Sequence, residues 1–212
     1  MVEIPTADIS KQLTIIGSAT CGKTSILTRH VKRTFGTEIS PTVFNSVSNT
    51  YKHKDHVVEL RLWDTAGQDE YARFRHLALP SADYIMIVYA IDDRSSYAEV
   101  KNSLVGQVKE KAPQAKYFLV GAKTDLREDS KRLEELARSG DSPITTSEGL
   151  ELSQSIGAMG YFECSAKNNI GIDDIFEKIS KYALKIHQKE SRSFIGRILN
   201  SLWDFLCCRQ IN

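Results

Sequence analysis

A glycine-rich stretch near the N-terminus has the residue types and spacing of a phosphate-binding loop. Residues 17–24 are GSATCGKT, which fits the pattern Gly-x-x-x-x-Gly-Lys-Ser/Thr between an apolar run and a helical pattern. In this context the backbone N–H groups at the start of a helix hold phosphate oxygens. We predict that Lys23 binds the outer phosphates and that the Thr24 hydroxyl binds Mg²⁺. The alternative, a chance glycine turn before a helix, requires four fixed positions to coincide.

Strands and helices that alternate along the chain would position this loop. Apolar runs and alternating patterns predict strands at residues 13–16, 43–53, 57–63, 84–90, 117–121 and 160–164. Helical apolar spacing is found at residues 25–31, 95–111 and 170–187. The strands predicted at 43–53 and 57–63 are expected to form a hairpin with its turn near Lys54 and Asp55. We therefore predict a doubly wound α/β sheet, in which ligands bind beyond the carboxyl ends of the strands.

Length and composition suit one domain with short appendages. The chain has 212 residues and is 41% hydrophobic, enough for a single core. We divide it into a loosely held lead-in at residues 1–10, a domain at 11–187 and a tail at 188–212.

Charge is distributed unevenly. The formal net charge is +1, so the total does not indicate a nucleic-acid partner. From Lys178 to the end, the chain has seven Lys or Arg residues and only two acidic residues, Glu190 and Asp204. This basic end could meet an anionic membrane surface, and a solvated helix face is the alternative.

Cysteine usage and hydropathy indicate a reducing compartment. The four cysteines, Cys21, Cys164, Cys207 and Cys208, show neither metal-ligand spacing nor a disulfide framework. There is no signal-peptide pattern and no apolar run of about 18 residues. We expect a cytoplasmic protein, or one on the cytoplasmic face of the plasma membrane or an endomembrane.

Four motifs occur in a diagnostic order. GSATCGKT is followed by WDTAGQ at 63–68, AKTD at 122–125 and CSAK at 164–167. Over residues 11–187 the chain resembles the Ras-like small GTPases and, within them, the Rho family. Residues 41–44 (PTVF), Trp63 and the charged segment 127–141, where Rho proteins carry a helical insert, support that assignment. The resemblance implies a G domain with a mostly parallel six-stranded sheet, one antiparallel strand, helices on both faces and an insert helix.

The chemistry of the base agrees with this resemblance. A carboxylate at Asp125 can accept hydrogen bonds from N1–H and the 2-amino group of guanine, which adenine lacks. Without the other motifs, the AKTD sequence would indicate only an ordinary loop that follows a strand. The resemblance implies that the Lys123 stem lies along the base, that Phe35 stacks near its edge and that the Ala166 N–H meets guanine O6. The nucleotide-binding residues implied are Ala19, Thr20, Cys21, Gly22, Lys23, Thr24, Ser25, Phe35, Thr42, Asp64, Gly67, Lys123, Asp125, Ser165, Ala166 and Lys167.

The same resemblance implies a slow GTPase that works as a switch. Mg²⁺ would be held by Thr24, by Thr42 when the γ-phosphate is present, and by Asp64 through water. The catalytic residues implied are Lys23, Thr42 and Gln68, which orients the attacking water. No arginine stands in the first switch, so a partner's arginine is the expected accelerator.

Partners follow from the family too. Exchange factors, activating proteins, effectors and a dissociation inhibitor are expected for a monomeric protein that takes part in actin organisation. The partner-binding residues implied are Val43, Phe44, Asn45, Trp63, Tyr71, Arg73, Phe74 and Leu77.

Several residues depart from the family pattern. Ala19 replaces a glycine, and its methyl group would crowd Gln68 and an incoming arginine. This predicts slow GTP hydrolysis that resists stimulation by an activating partner. The alternative is that local adjustment of the loop accommodates the methyl group. Ala122 replaces Asn or Thr, so a supporting hydrogen bond that contributes about 1 kcal/mol should be missing. Nucleotide exchange should therefore be faster. Ile39 and Asn45 leave effector preference open.

The tail departs as well. Arg209 stands where a Cys-a-a-X cysteine is expected, and Cys208 lies one place too early, so standard prenylation is in doubt. Residues 194–206 place apolar side chains on one helical face, as in an interfacial membrane helix. Lipidated Cys207 and Cys208 beside basic residues would complete the anchor; packing on a protein is the alternative.

Two other functions fit part of this pattern. A scaffold that stays loaded with GTP is favoured by Ala19 and opposed by Gln68. A P-loop kinase shares only the first motif.

Overall fold

The computed structural model describes residues 7–35, 44–65 and 77–208, with the side chains of 44, 45 and 192–208 left out. A six-stranded sheet in the order β2-β3-β1-β4-β5-β6 forms its centre. The strands are β1 (Ile9–Gly17), β2 (Phe44–His53), β3 (His56–Thr65), β4 (Tyr84–Ala90), β5 (Lys116–Ala122) and β6 (Tyr161–Cys164). Among the strands of the described residues, only β2 runs antiparallel to its neighbour, β3. The predicted doubly wound α/β sheet is confirmed.

Both faces of the sheet are covered because its central strands are apolar on both sides. All seven residues of β4 are buried. Met86 and Val88 belong to one core cluster, whereas Ile85 and Ile87 belong to the other. This alternation follows from the two-residue period of a strand. Two cores therefore hold the sheet rigid from opposite sides.

The helices differ from the predicted set in three respects. They are α1 (Lys23–Lys32), α2 (Arg94–Glu99), α3 (Val105–Lys111), α4 (Ser130–Arg138), α5 (Thr146–Ile156) and α6 (Ile172–Cys208). A π-helical turn, Val100–Leu104, separates α2 from α3, so the predicted helix 95–111 is not one regular helix. We did not predict α5, although Thr145 and Glu148 form a capping box at its start. The third difference is α6, which continues well beyond His187.

The N-terminal lead-in ends earlier than predicted. Strand β1 begins at Ile9, which is buried and lies opposite Val58 of β3. Asp8 is held as well, because its N–H donates to the Val57 carbonyl and its carboxylate accepts from the Val57 N–H. The start of this strand was not predicted because Ser10, Lys11 and Gln12 are polar and interrupt the apolar run.

Helix α4 lies inside segment 127–141, where a helical insert was predicted, and is called the insert helix below. Asp129 caps it by accepting from the Arg132 N–H at 3.0 Å. The boundary predicted between residues 187 and 188 falls within α6 and stays a prediction. Among the described residues, no helix is both long and apolar enough to span a bilayer.

Candidate nucleotide-binding site

The four motifs meet at one edge of the sheet. The strand register pairs Ile15 with Asp64, Gly17 with Val88, and Ala122 with both Ala90 and Cys164. Neighbouring strands therefore end within a few residues of one another, and each of the four motifs begins at or near the end of its strand. This is the carboxyl edge, where ligands bind in sheets of this kind.

The glycine-rich loop needs glycine at both of its fixed positions. A Cβ at Gly17 would collide with the carbonyl oxygen of Val88, and the φ angle of this glycine is +152°. Gly22 has a φ of +110° directly before α1, a conformation that side-chain-bearing residues rarely adopt. The loop thus turns sharply from the buried strand β1 into the N-terminus of α1.

Lys23 is held inside this loop. Its side chain is buried, and its ammonium group donates to the carbonyl oxygens of Gly17 at 2.9 Å and of Ser18 at 2.7 Å. The loop therefore encloses a fixed positive charge, next to the positive end of a helix. Both features favour an anion in the loop.

Thr24 and Asp64 are joined across the loop. The Thr24 hydroxyl donates to Asp64 Oδ2 at 2.7 Å. Asp64 is fully buried, and no group in the described part of the chain hydrogen-bonds its Oδ1. Burial raises the pKa of this carboxyl group, and the hydrogen bond from Thr24 and the charge of Lys23 oppose that shift. An open carboxylate oxygen beside a hydroxyl is a donor set that fits Mg²⁺.

On the other side of the edge, Asp125 is oriented by the CSAK segment. The Ser165 hydroxyl donates to Asp125 Oδ1, and the Lys167 ammonium lies 3.9 Å from Oδ2. Ser165 is itself fixed, because its backbone N–H and C=O pair with those of Ile170. Only 9% of the Asp125 side chain is exposed. The structure thus brings together the two motifs that were predicted to select guanine.

Lys123 and Ala122 complete this side. Lys123 has a φ of +65° and places its ammonium 3.7 Å from Asp92 Oδ1. Ala122 is buried, and its Cβ lies 3.5 Å from the position of a Cβ built on Gly22. The residue therefore offers the loop an apolar contact at the position where Asn or Thr would supply polar atoms.

Sequence reasoning missed Arg29. Its Nε donates to the Ala166 carbonyl at 2.7 Å and its Nη2 to the Lys167 carbonyl at 3.0 Å. The same guanidinium group lies 5.8 Å from the centre of the Phe35 ring. Arg29 thus joins α1 to the CSAK segment and to the predicted stacking residue. No local signal could reveal this, since the partners are 137 and 138 residues away.

The two described cysteines are packed rather than reactive. Burial raises the pKa of the Cys21 thiol and raises that of Cys164 to about 12. Cys21 donates to the Val88 carbonyl at 3.3 Å. Neither forms a disulfide.

The remaining predicted residues fall into two groups. In the described part, Ala19, Ser25 and Trp63 are half-buried, Thr20 and Phe35 are exposed, and Leu77 is 73% exposed. Outside the described residues lie Ile39, Thr42, Val43, Gly67, Gln68, Tyr71, Arg73, Phe74 and Arg209. For Phe44, Asn45, Cys207 and Cys208 the backbone is described and the side chains are not.

Comparisons with known proteins agree with this geometry. The Ras family model matches residues 12–185. "GTP-binding protein rho1" of Schizosaccharomyces pombe is 37% identical over 189 residues, which cover 89% of this chain and 94% of the relative. "GTP-binding protein RHO1" of Candida albicans is 36% identical over 88% of this chain and 94% of its own length. "GTP-binding protein rho5" of S. pombe is 37% identical over 84% of this chain and 90% of its own length.

The resemblance inferred from the four motifs is therefore confirmed. With the sheet, the loop and these relatives together, the chain belongs to the Ras family and is a Rho-like small GTPase, which binds GTP and GDP and hydrolyses GTP.

Proposed function

We propose that this GTPase is a slow Mg²⁺-dependent switch that works at a cytoplasmic membrane face. The observation that carries the proposal is the arrangement at one sheet edge. There, the buried Lys23 and the Thr24–Asp64 pair lie on one side, and the Asp125–Ser165 pair lies on the other. One side suits phosphates and a cation, and the other suits a guanine base.

The residues of the loop divide the work on the phosphates. Lys23 supplies positive charge, and the backbone N–H groups before α1 supply hydrogen bonds. Thr24 would hold Mg²⁺ directly and Asp64 through water. When bound, the ion neutralises charge that develops on the phosphate oxygens during transfer. The open Oδ1 of Asp64 supports this assignment.

The hydrolytic step is assigned to residues outside the described part of the chain. Gln68 would orient the attacking water, the Gly67 N–H would bond the γ-phosphate, and Thr42 would close over the ion. A partner's arginine would then accelerate hydrolysis by a factor on the order of 10³ to 10⁵. Family membership alone supports these roles.

Ala19 makes the switch slow. It is the half-buried third residue of the glycine-rich loop and directly precedes Thr20, whose φ is +59°. By analogy with the family, a methyl group there would take up space that the Gln68 amide and an incoming arginine need. A scaffold that remains loaded with GTP is the limiting case of this effect.

The test is a single-turnover time course of GTP loss, with and without a Rho-type activating domain. We expect weak stimulation in the natural chain and clear stimulation in Ala19→Gly. Strong stimulation of the natural chain, with no gain in Ala19→Gly, would contradict this role for Ala19. An absence of hydrolysis in both chains would favour the scaffold.

Partners are proposed as surfaces. Exchange factors would contact the neighbourhood of Trp63, and effectors and activating proteins would bind residues 32–42 and 67–79. A dissociation inhibitor would bind a lipidated tail. We propose a monomer that takes part in actin organisation. Membership of the Rho-like group supports these partners and this process.

The tail is proposed to be the membrane anchor. The backbone of α6 is helical through residues 194–206, which the sequence predicts to form an apolar face, and continues to Cys207 and Cys208. An apolar helix face, basic residues and lipidated cysteines together would meet the requirement of two signals for stable anchoring.

A further inference from the structure

A buried carboxylate links the insert helix to the guanine side of the site. Asp92 lies between β4 and α2, with 7% of its side chain exposed. The backbone of the preceding residue is fixed, because both of its polar groups are hydrogen-bonded. The Ile91 N–H donates to the Ala122 carbonyl at 3.0 Å, and the Ile91 carbonyl accepts from the Ile144 N–H at 2.7 Å. Asp92 therefore occupies a rigid position next to the AKTD motif.

Two cations approach Asp92 from different elements. Arg132 of the insert helix donates from Nε to Asp92 Oδ2 at 2.9 Å and from Nη2 to the Asp92 carbonyl at 3.2 Å. The Lys123 ammonium lies 3.7 Å from Oδ1. Within the described residues, Oδ1 has no hydrogen-bond partner. Arg132 thus orients the carboxylate, and its second oxygen faces Lys123.

A buried carboxylate is stable only when its charge is compensated and its oxygens are satisfied. Arg132 provides the direct hydrogen bonds, so it determines where Oδ1 points. Oδ1 in turn attracts the ammonium of a residue whose stem borders the base site. Without Arg132, Asp92 can reorient toward Lys123 or away from it, and either movement displaces the lysine.

We propose that Arg132 is a positioning residue for the guanine nucleotide. By orienting Asp92, it holds Lys123 in place along the base and slows nucleotide release. The inference rests on the proposed placement of guanine beside Lys123 and Asp125. Because Lys131, Glu134 and Arg138 on the other side of the insert helix are exposed, a partner that moves this helix would change nucleotide residence time.

Release of a fluorescent N-methylanthraniloyl GDP from the full chain, with Mg²⁺ present, tests this proposal. For residues in one ion-pair network, we expect Arg132→Met to speed release about three- to tenfold. Arg138→Met is the matched control and should release at the natural rate, because it removes an exposed arginine of the same helix whose ion-pair partner is Glu134.

A second measurement separates positioning from simple loosening of the helix. In a Lys123→Met background, Arg132→Met should add no further acceleration, because the residue it acts through is gone. An Arg132→Met variant that releases at the natural rate would overturn the inference. So would an equal acceleration in both backgrounds. A natural chain that binds no fluorescent GDP would overturn the proposed function, and this inference with it.

Discussion

Asp64 combines complete burial with one oxygen that no described group hydrogen-bonds. Its other oxygen accepts from Thr24, whose position next to Lys23 is set by the start of α1. Water or protein donors normally satisfy such an atom. In this chain a hydrated Mg²⁺ fits it best, since the ion keeps several waters when it binds beside phosphates.

Removal of the metal should therefore affect nucleotide retention through Asp64. We expect chelation of Mg²⁺ to accelerate GDP release strongly in the natural chain. In Asp64→Asn, Mg²⁺ should bind about 10- to 100-fold more weakly, the range found for outer-sphere partners. A titration of release rate against free Mg²⁺ measures this shift.

Asp55→Asn is the control, because Asp55 is exposed in the turn between β2 and β3. Its titration should superimpose on that of the natural chain. An unchanged Mg²⁺ midpoint in Asp64→Asn would show that this carboxylate does not serve the ion.

Among individual residues, the sequence predicted those whose role depends on neighbours in a short motif. Lys23, Thr24, Asp64 and Asp125 were found because each belongs to a short motif. Arg29 and Asp92 were not found, since their roles depend on partners distant in sequence, such as Ala166 and Arg132. A contact of that kind exists only after the chain has folded.

Three elements meet at a buried histidine on α1. His30 Nδ1 lies 2.7 Å from Asp173 of α6, and its Nε2 lies 2.7 Å from the Tyr51 hydroxyl of β2. The Asn49 amide donates to the same Nε2 at 2.8 Å, and the imidazole stacks on Phe176 at 4.0 Å. The Tyr51 and Asn49 donors share the single lone pair of Nε2 and a carboxylate faces Nδ1, so the neutral ring with its proton on Nδ1 fits both sides.

This histidine should make stability depend on pH. Burial lowers the pKa of His30 below its usual 6.5, and this outweighs the opposing effect of Asp173, while Arg33 lowers the pKa further. The unfolded chain then binds more protons than the folded one between the two pKa values, so the free energy of unfolding falls as pH falls below about 6.5. The melting temperature should drop between pH 7 and pH 5.5.

His30→Gln should flatten that dependence, whatever it does to stability at pH 7. Exposed His187→Gln is the matched control and should keep the natural slope. Burial also lowers the pKa of His53, so a smaller slope remains in His30→Gln. A slope that His30→Gln leaves unchanged would contradict this explanation.

Prediction of the elements succeeded where hydrophobic pattern alone determines them. Strand β4 was predicted with its observed limits because it is apolar throughout. Helix α5 was missed because four of its eleven residues are Ser or Thr, which weakens the apolar pattern. The π-helical turn was missed because an extra residue in one turn leaves no compositional sign.

For the whole molecule, α6 is the largest departure from expectation. It has 37 residues and is about 55 Å long at 1.5 Å per residue. Its first part packs Ile175, Phe176 and Ile179 into the core, and the helix then continues into the basic end of the chain. If the tail binds a membrane as proposed, a helix that joins the domain directly to the tail would restrict how the nucleotide site faces the bilayer.

Membrane association should depend on the two terminal cysteines. We expect the natural chain to sediment with membranes and a Cys207→Ser/Cys208→Ser variant to move to the soluble fraction, because an apolar face alone binds reversibly. Cys21→Ser is not a suitable control, because that thiol is packed in the loop. Ser191→Ala, on the exposed side of α6, is suitable. Unchanged membrane recovery in the double variant would exclude lipidation as the main anchor.

Recognition of guanine at the carboxyl edge of the sheet underlies the proposed switch, and nucleotide competition measures it directly. With Mg²⁺ present, fluorescent GDP bound to the full chain should be displaced by GTP, whereas ATP should compete at least about a thousandfold more weakly. Asp125→Asn should lose most of this preference, whereas Glu128→Gln, exposed and three residues away, should keep it. Equal competition by ATP and GTP, or displacement by neither, would contradict the account.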